Sequence, residues 1–321
     1  MTTLVSEPAT KPYRKKRDLY QEVTNQVIDL LESQMLTWYK PWVIIADDGK
    51  RAHNAFTMRT YSGLNQILLA FRQLKSGYPY NGWMTFHQIQ MAKGQVLPGE
   101  KSTQVYFNQV VYYDKEGIRY ESEQVRAMPE EEQEQLKLRK HFVLRYYNVF
   151  NVAQTSGLPD SYYEVEPLPT VLGTQKDKRA ERLINLTDAK IIHKPSNEAY
   201  YNCLEDVICL PQREQFKGKV AYYETALHEL AHWTGHSSRL NRKLQNAFGS
   251  EDYVKEELIA ELCSAFLCAE LGFSKVITNN AAYVKGWIGA LKKDSRYILK
   301  AVRNAEKAAD YIFSFMPQSK E

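Results

Sequence analysis

Two histidines one helical turn apart, with a glutamate directly after the first, are the residues of this chain best suited to chemistry. They are His228 and His232, with Glu229 beside the first. Residues i and i+4 share one face of a helix, so both imidazoles can reach the same metal ion. Zinc makes water acidic enough for Glu229 to take its proton, and the hydroxide that remains can attack a carbonyl carbon. The pattern predicts a zinc hydrolase acting on a peptide bond; the alternative is a solvated helix with two structural histidines.

A catalytic zinc site needs a third protein ligand and an open position for water. The sequence predicts a second helix over residues 253–267, in which Glu257 and Glu261 are four residues apart and share a face. In a thermolysin-like pattern the first such acid binds the metal and the second orients a zinc-bound histidine. We therefore predict Glu257 as the third ligand and Glu261 as the orienting residue, with Glu261 as the alternate ligand. Glu256 is expected on the surface.

The segment around the two histidines predicts a buried helix. Glu224 and Thr225 are plausible opening residues, and Gly235 falls where a helix would stop. Metzincins carry a third histidine at the position that Ser238 occupies here, so the sequence excludes that class of zinc peptidase. His236 lies beyond the predicted break, and we expect it to support the site or to be structural, with a role as a metal ligand as the alternative.

A short β-favouring run precedes this helix. Residues 206–211, which end at Pro211, predict an edge strand whose free backbone groups could pair with an extended peptide. Nearby tyrosines are candidate oxyanion donors, and the sequence alone selects none of them. These tyrosines are Tyr200, Tyr201, Tyr222 and Tyr223.

The first half of the chain mixes helical and strand patterns. Apolar residues at helical spacing predict helices over 18–37 and 64–74, and a charged stretch at 130–140 predicts an exposed helix or loop. A turn at 114–117 joins two of the predicted strands into a hairpin. The strands are expected at 104–107, 110–113, 118–120 and 142–152.

Length and composition favour two domains and no membrane span. The chain has 321 residues, of which 44% are hydrophobic, enough to bury substantial cores. No stretch approaches the roughly 20 apolar residues of a membrane-spanning helix, and residues 1–12 lack the apolar core of a signal peptide. The 4 cysteines form no Cys-x-x-Cys pair, which favours free thiols in a reducing compartment. We expect a cytoplasmic protein without a membrane partner.

The expected fold class is α+β for both domains. A basic arm would span residues 1–17 and a first α+β domain residues 18–155. Residues 156–172, with several prolines, read as a linker. The second domain, residues 173–321, would carry the zinc site.

Basic and aromatic residues of the arm and first domain could supply contacts for a single-stranded nucleic acid, although the net positive charge of this half is modest. Positive side chains contact phosphates, and each base stacked on an aromatic ring contributes about 1–3 kcal/mol. Packing in the core is an equally good interpretation of any single ring. The candidate DNA-binding residues are Lys15, Lys16, Arg17, Trp38, Trp42, Tyr61, Asn65, Trp83, Lys93 and Lys101.

An ordered set of motifs resembles the ArdC-type antirestriction proteins of conjugative plasmids. In the second domain the resemblance lies in residues 222–242, around the two histidines, and in residues 256–261. In the first domain it lies in a series of short motifs similar to the N-terminal domain that this family shares with TraC-type plasmid primases. These motifs are residues 61–65, 83–86, 93–101 and 147–152.

The resemblance implies a single-stranded-DNA-binding domain followed by a zincin-like metallopeptidase domain. It implies protection of incoming plasmid DNA from host restriction, by coating the DNA or by acting on a restriction component as protein substrate. The implied cofactor is Zn²⁺ or another divalent transition metal such as Mn²⁺. Two alternatives stay open: a metal-dependent peptidase that cuts a repressor or a restriction component, and a non-catalytic DNA-binding protein whose metal is structural.

Overall fold

The structure is a computed structural model, and it describes residues 17–33, 51–61, 63–164, 173–244, 249–272 and 281–317. Helices and strands are interspersed in both halves of the chain. The predicted α+β class is therefore confirmed.

The first half is built around a five-stranded β-sheet. The strands of this half are β1 (His53–Asn54), β2 (Gly82–Thr85), β3 (Gln95–Val96), β4 (Thr103–Tyr113), β5 (Arg119–Glu121), β6 (Arg139–Asn151) and β7 (Thr155–Ser156). The sheet order is β1-β2-β6-β4-β5, and β3 pairs separately with β7. β1 and β2 run parallel, whereas the other neighbours in the large sheet are antiparallel. The long β4–β6 pair therefore forms the centre of this half.

The helices of the first half flank that sheet. They are α1 (Leu19–Ser33), α2 (Gly63–Ser76), α3 (Phe86–Met91), α4 (Ser122–Ala127) and α5 (Glu130–Leu136). The start of α1 is capped by Asp18, whose carboxylate accepts hydrogen bonds from two backbone N–H groups in the first turn. The helix predicted over 18–37 is confirmed up to Ser33, and residues 34–37 lie outside the described residues.

The central strands are longer than the sequence predicted. The runs at 104–107 and 110–113 form one continuous strand, β4, because the polar residues between them pair with β6 without interruption. β4 and β5 form the predicted hairpin, in which the Asp114 carboxylate accepts backbone hydrogen bonds from the turn. β6 begins at Arg139, ahead of the predicted start at residue 142.

The second half surrounds a three-stranded sheet with helices. Its elements are α6 (Gly173–Leu186), β8 (Lys190–Lys194), β9 (Tyr200–Asn202), β10 (Val207–Pro211), α7 (Lys219–Trp233), α8 (Glu251–Leu271), α9 (Ala281–Lys293) and α10 (Tyr297–Phe313). The sheet order is β8-β10-β9, with β8 parallel and β9 antiparallel to β10.

The prediction of an edge strand at 206–211 is wrong, because β10 lies in the middle of its sheet. Its residues are all buried, as expected for an unbroken apolar run covered on both faces. Pro211 is tolerated because β9, whose first residue Tyr200 pairs with Cys209, does not extend to it, and Pro211 pairs only with Lys194 of β8. The edge beside the candidate metal site is β9.

Helix α7, which carries the two histidines, starts earlier than predicted. It begins at Lys219, after Gly218 with φ +95°, whereas Glu224 and Thr225 were expected to open it. Glu224 is buried in the body of the helix instead. The helix ends at Trp233, just before Gly235, as predicted.

A single hydrophobic cluster joins the two halves. It includes buried residues of α1 and α2 together with residues of α7, α8, α9 and α10. The Thr24 hydroxyl of α1 also donates a hydrogen bond to the Ser295 carbonyl at 2.7 Å. Leu158, within the predicted linker, is buried against Met84 and Ile89, so residues 156–164 pack onto the first half. Residues 165–172 lie outside the described residues.

Across the described ranges, no helix combines the length and apolar character that a bilayer crossing requires. The cysteines are free thiols, as predicted, and all except Cys203 are buried.

Candidate metal centre

Three side chains from two helices converge on one point. The Nε2 atoms of His228 and His232 on α7 lie 3.2 Å apart. Glu257 on α8 places Oε2 3.6 Å from Nε2 of His228 and Oε1 3.4 Å from Nε2 of His232. Ligands of a tetrahedral ion with bonds of about 2.0–2.1 Å lie about 3.3–3.4 Å apart. The spacing and the N,N,O donor set therefore fit a zinc-like ion, and this triad is the potential metal-binding group found among the described residues.

Glu261 contacts the other ring nitrogen of His228. Its Oε2 lies 3.0 Å from Nδ1, on the side of the imidazole away from the convergence point. A carboxylate in this position fixes the tautomer and orientation of a metal-binding histidine. The geometry matches the orienting role predicted for Glu261, and the donor set contains Glu257 and not the alternate, Glu261.

Glu256 makes the matching contact to His232. Its Oε1 lies 3.3 Å from Nδ1, and Arg242 donates to both oxygens of the same carboxylate at 2.8–3.2 Å. Arg242 also donates to the Thr234 hydroxyl and the Ala231 carbonyl, which fixes it against the end of α7. The expectation of a surface position for Glu256 is wrong, since only 7% of this residue is exposed.

The neighbouring carboxylates raise the pKa values of both site histidines and favour their protonated forms. Burial lowers the pKa of His228, but the bonds to Glu257 and Glu261 outweigh it, so that pKa lies well above its ordinary value. His232 is affected in the same way, with burial opposed by Glu256 and Glu257, and its pKa is raised to about 9. Burial would raise the pKa of Glu257, but the two histidines hold it below its usual range. A divalent cation that binds here would displace protons from these imidazoles, so metal binding would release protons.

Glu229 lies in the same cleft and is only 6% exposed. Burial raises the pKa of its carboxyl group, against the opposing effects of His228, His232 and a hydrogen bond to the Tyr201 backbone. A carboxylate with a raised pKa is a better proton acceptor near neutral pH. Strand β9 thus contacts the residue that the sequence assigns as the general base.

The cleft around these residues has a volume of about 430 Å³ and is bordered by β9, α7, α8 and α9. Among the four tyrosines considered from sequence, Tyr200 and Tyr201 line it. The Tyr222 hydroxyl instead lies 3.1 Å from a ring nitrogen of His193, and Tyr223 donates to Glu181 at 3.0 Å. Of the four tyrosines, Tyr200 and Tyr201 therefore lie in the cleft, which Tyr253 of α8 also lines.

An arginine after α7 holds β9 in place. Arg239 forms a two-armed ion pair with Asp206 and donates to the Tyr201 hydroxyl at 3.1 Å. Its Nε donates to the Trp233 carbonyl at 2.6 Å, and the guanidinium lies 4.1 Å from the centre of the Trp233 ring. Arg239 therefore ties the β9–β10 turn to the end of α7. No local spacing pattern in the sequence predicts the ion pair between Arg239 and Asp206, because the two residues are far apart along the chain.

His236 lies outside the converging group. Its Nδ1 lies 2.8 Å from the Ser238 hydroxyl, and the residue lines a neighbouring cleft together with Arg242. The orienting contacts to the two site histidines come from Glu256 and Glu261 instead. Among the described residues, His236 therefore makes no hydrogen bond to His228, His232 or Glu257 that would support its predicted role.

The candidate DNA-binding residues that the structure describes differ in their exposure. Trp83 is fully buried, so the expectation that its ring stacks on a base does not hold in this structure. Asn65 bonds both the N–H and the C=O of Tyr106, and Tyr61 packs against the cluster around Trp83. Arg17 pairs with Glu22 and with the Tyr146 hydroxyl. Lys93 and Lys101 are exposed. Outside the described residues lie Lys15, Lys16, Trp38 and Trp42.

Comparison with known proteins decides the family. A model of the N-terminal domain of the anti-restriction factor ArdC matches residues 17–150, and one of a zincin-like metallopeptidase matches residues 178–304. The metal-free crystal structure of the antirestriction protein ArdC from plasmid R388 is 33% identical, with a TM-score of 0.74, and the alignment covers 93% of this chain and 98% of that one. The chain belongs to the ArdC family of antirestriction proteins.

Relatives of this ArdC-family chain include much longer proteins. Two DNA primases TraC of Escherichia coli are 34% and 33% identical over 94% of this chain. The matched regions make up only 20% and 27% of the primases' own length, so the chain spans about a quarter of them or less. The uncharacterized protein y4eC of Sinorhizobium fredii (strain NBRC 101917 / NGR234) is 31% identical, over 92% of this chain and 91% of its own length.

The ArdC protein of plasmid R388 also has a Mn(II)-bound crystal structure. It is 32% identical to this chain, with a TM-score of 0.73, and the alignment covers 95% of this chain and 100% of that one. The zincin-like domain, the Mn(II)-bound structure of this neighbour and the converging triad together indicate a divalent metal in the ArdC-family chain.

Proposed function

We propose that this chain is an antirestriction protein that binds single-stranded DNA and protects incoming plasmid DNA from host restriction in the recipient cytoplasm. The observation that carries the proposal is the end-to-end correspondence with R388 ArdC, which covers 98% of that protein. A shared single domain would support only a shared fold, because one fold serves many functions. Here both domains occur, in the same order.

We further propose that His228, His232 and Glu257 hold the divalent metal, as Zn²⁺ or Mn²⁺. The support is the 3.2–3.6 Å separation of their donor atoms and the carboxylate on each outer ring nitrogen. Bound there, the cation would act as a Lewis acid, polarising a carbonyl oxygen and lowering the pKa of a water molecule.

The chain's own residues would supply the remaining chemistry. Glu229 would accept a proton on its carboxylate, favoured by a pKa that burial raises. Its hydrogen bond to the Tyr201 backbone would aim that carboxylate into the cleft. Glu256 and Glu261 would hold the imidazole rings in a fixed orientation, with Nδ1 protonated and Nε2 free to bind.

DNA binding is proposed to carry protection, and the metal site a separate or auxiliary task. The test is conjugative transfer of an unmodified plasmid into a restricting recipient and into an isogenic recipient without the restriction system. Cells that produce the chain should recover most of the transfer lost to restriction, and the purified chain should bind single-stranded DNA more tightly than a duplex. An unchanged restriction ratio would contradict the proposal.

A second candidate function is a metal-dependent peptidase that cuts a repressor or a restriction component. The observation that favours it is the buried Glu229 beside the two histidines, the arrangement found in His-Glu-x-x-His metallopeptidases. It predicts a host protein whose cleavage disappears in the Glu229→Ala variant. A non-catalytic protein with a structural metal predicts, in contrast, no cleaved protein and DNA binding that survives chelation.

A further inference from the structure

We propose that single-stranded DNA lies on one face of the five-stranded sheet, across the stacked rings of Phe107 and Tyr147 and the guanidinium of Arg145. This inference rests on the proposed function and gives the DNA a surface. The stacking role that the sequence suggested for the buried Trp83 is assigned instead to side chains that solvent can reach.

The strand register defines this surface. Phe107 of β4 lies directly opposite Arg145 of β6, so the two side chains leave the sheet on the same side. Tyr147 follows two residues later on β6 and therefore shares that side, about 7 Å further along the strand. We call this side the Tyr147 face. Its side chains on β4, β5 and β6 that solvent reaches include Phe107, Gln109, Tyr113, Arg119, Glu121, Arg139, His141, Arg145 and Tyr147. Val105, Val111 and Val149 lie on the same side and are buried, so only part of this side is open to solvent.

Stacked aromatic rings stand on the Tyr147 face. The rings of Phe107 and Tyr147 are parallel within 5°, with centroids 4.8 Å apart. Tyr147 is 57% exposed although it lies on a strand in the middle of the sheet. Further along the face, the ring of Tyr113 meets His141 edge to face at 5.2 Å. An exposed ring already fixed by a stacked neighbour can receive a base with little loss of conformational entropy.

The charge of the Tyr147 face suits a nucleic-acid backbone. Arg119, Arg139 and Arg145 are the cations that the register places on it, and Glu121 is the only carboxylate on these three strands there. Glu121 is bonded to Arg119. Within the described residues Arg145 donates to the Gln109 side chain at 3.0 Å and forms no ion pair, so the rest of its guanidinium can contact a phosphate.

The opposite side of the same strands is occupied by α1. Gln26 of α1 donates to the Tyr106 hydroxyl at 3.0 Å, and Arg17 donates to the Tyr146 hydroxyl at 2.8 Å. At the far end of that side stands Phe142, 58% exposed, with Lys140 over its ring at 5.3 Å. Phe142 thus matches Tyr147 in strand and exposure and differs in face, which makes it an internal control.

Base stacking on a sheet selects single strands. A base in a duplex has both of its faces covered by neighbours, whereas an unpaired base can lie flat on an aromatic ring. The Tyr147 face presents rings and cations along the strand direction, so a single strand can place a base on a ring and a phosphate on Arg145.

The test is binding of the full chain to a fluorescein-labelled 20-nucleotide oligo(dT), followed by fluorescence anisotropy across salt concentrations. Tyr147→Ala should weaken binding at least about fivefold, the effect of losing one stacked base. Arg145→Gln should weaken binding and reduce the slope of log affinity against log salt by about 0.7, the loss of one phosphate contact to a single strand. Phe142→Ala should bind within about twofold of the wild type, because a surface side chain that does not contact the DNA contributes little to affinity.

The outcomes separate this inference from the proposed function. Wild-type affinity in both Tyr147→Ala and Arg145→Gln, or an equal loss in Phe142→Ala, would overturn the Tyr147 face. Absence of oligo(dT) binding by the wild type would overturn the proposed function itself. If Tyr147→Ala converts a dimer to a monomer in light scattering and leaves DNA affinity intact, the face belongs to a second copy of the chain and the inference is wrong.

A second measurement needs no variant. Ultraviolet cross-linking of the wild type to oligo(dT), mapped by mass spectrometry, should label peptides of β4 or β6 that contain Phe107 or Tyr147. Cross-links confined to peptides elsewhere in the chain would overturn the inference even if the alanine variants do not fold.

Discussion

The Nδ1 atom of His232 lies 3.3 Å from Oε1 of Glu256, a buried carboxylate that Arg242 holds from its other side. His228 has the equivalent partner in Glu261. Each imidazole is therefore fixed on its outer nitrogen and leaves Nε2 directed at Glu257. The two contacts turn a pair of histidines into a preorganised pair of donors.

Glu256→Gln should weaken metal binding about 10- to 100-fold, the usual effect of removing the carboxylate behind a metal-binding histidine. Competition with a chromophoric chelator measures the affinity for Zn²⁺ and Mn²⁺. Glu251→Gln is the matched control, since Glu251 is an exposed acid at the start of the same helix. Equal affinities of Glu256→Gln and Glu251→Gln would show that Glu256 does not position His232.

Glu257→Ala should remove the stabilisation that metal gives to the folded chain. A ligand that binds only the folded state at 100 times its dissociation constant adds about 2.7 kcal/mol to the free energy of unfolding. Thermal melting with and without added Zn²⁺ measures this gain, and the metal content of dialysed protein gives an independent reading. His236→Ala should keep both, because His236 bonds Ser238 and lies outside the converging group. A full metal response in Glu257→Ala would assign the third ligand elsewhere.

Asp206→Asn should destabilise the chain at neutral pH and lose this effect in acid. The pKa of Asp206 is lowered chiefly because Arg239 donates hydrogen bonds to it. A carboxyl group with a depressed folded-state pKa contributes stability above its ordinary pKa of about 3.9, and this contribution is lost as the pH falls through the folded pKa. The difference in melting temperature between wild type and Asp206→Asn should therefore shrink between about pH 5 and pH 2. Glu205→Gln, an exposed neighbour, should show no such trend; a pH-independent difference for Asp206→Asn would contradict the ion pair.

Gly94→Ala should destabilise the first half by about 1–3 kcal/mol, the usual cost of overpacking. A Cβ at Gly94 would lie 2.5 Å from Leu158 Cδ2 and 3.2 Å from the Ser156 carbonyl oxygen. Gly289→Ala is the control, because its Cβ would meet nothing within 4 Å on helix α9, where alanine is favoured by about 1 kcal/mol. Chemical denaturation measures both. Equal stabilities of the two variants would mean that residues 156–158 do not pack as described.

The sequence predicts the metal helix pair well because local spacing determines it. Four-residue spacing pairs His228 with His232 and Glu257 with Glu261; His228, His232 and Glu257 converge, and Glu261 contacts the outer nitrogen of His228. Arg242 and Glu256 escaped prediction because their contact depends on how two helices pack, and no local pattern encodes it. The helix start was missed because Gly218, with its positive φ, was not recognised as the break.

Aromatic residues were the weakest guide to binding. Trp83 is a predicted stacking residue and is 0% exposed, whereas Tyr147, which is not among the predicted DNA-binding residues, is 57% exposed. The difference arises from tertiary packing, since the rest of the core closes over β2 and leaves part of β6 open. Tertiary packing also explains the wrong prediction for β10. An apolar run of five residues can form either an edge strand or a central strand of a sheet, and the sequence does not specify which strands lie beside it.

Plasmid transfer in the presence of Glu229→Ala tests most directly whether DNA binding, and not proteolysis, carries protection. The variant should be compared with wild type and Tyr147→Ala in restricting and non-restricting recipients, after folding, metal content and single-stranded-DNA affinity have been measured. Protection should persist in Glu229→Ala and fall in Tyr147→Ala. Complete loss of protection in Glu229→Ala, with folding, metal content and DNA binding intact, would contradict the proposal and make chemistry at the metal site the source of protection.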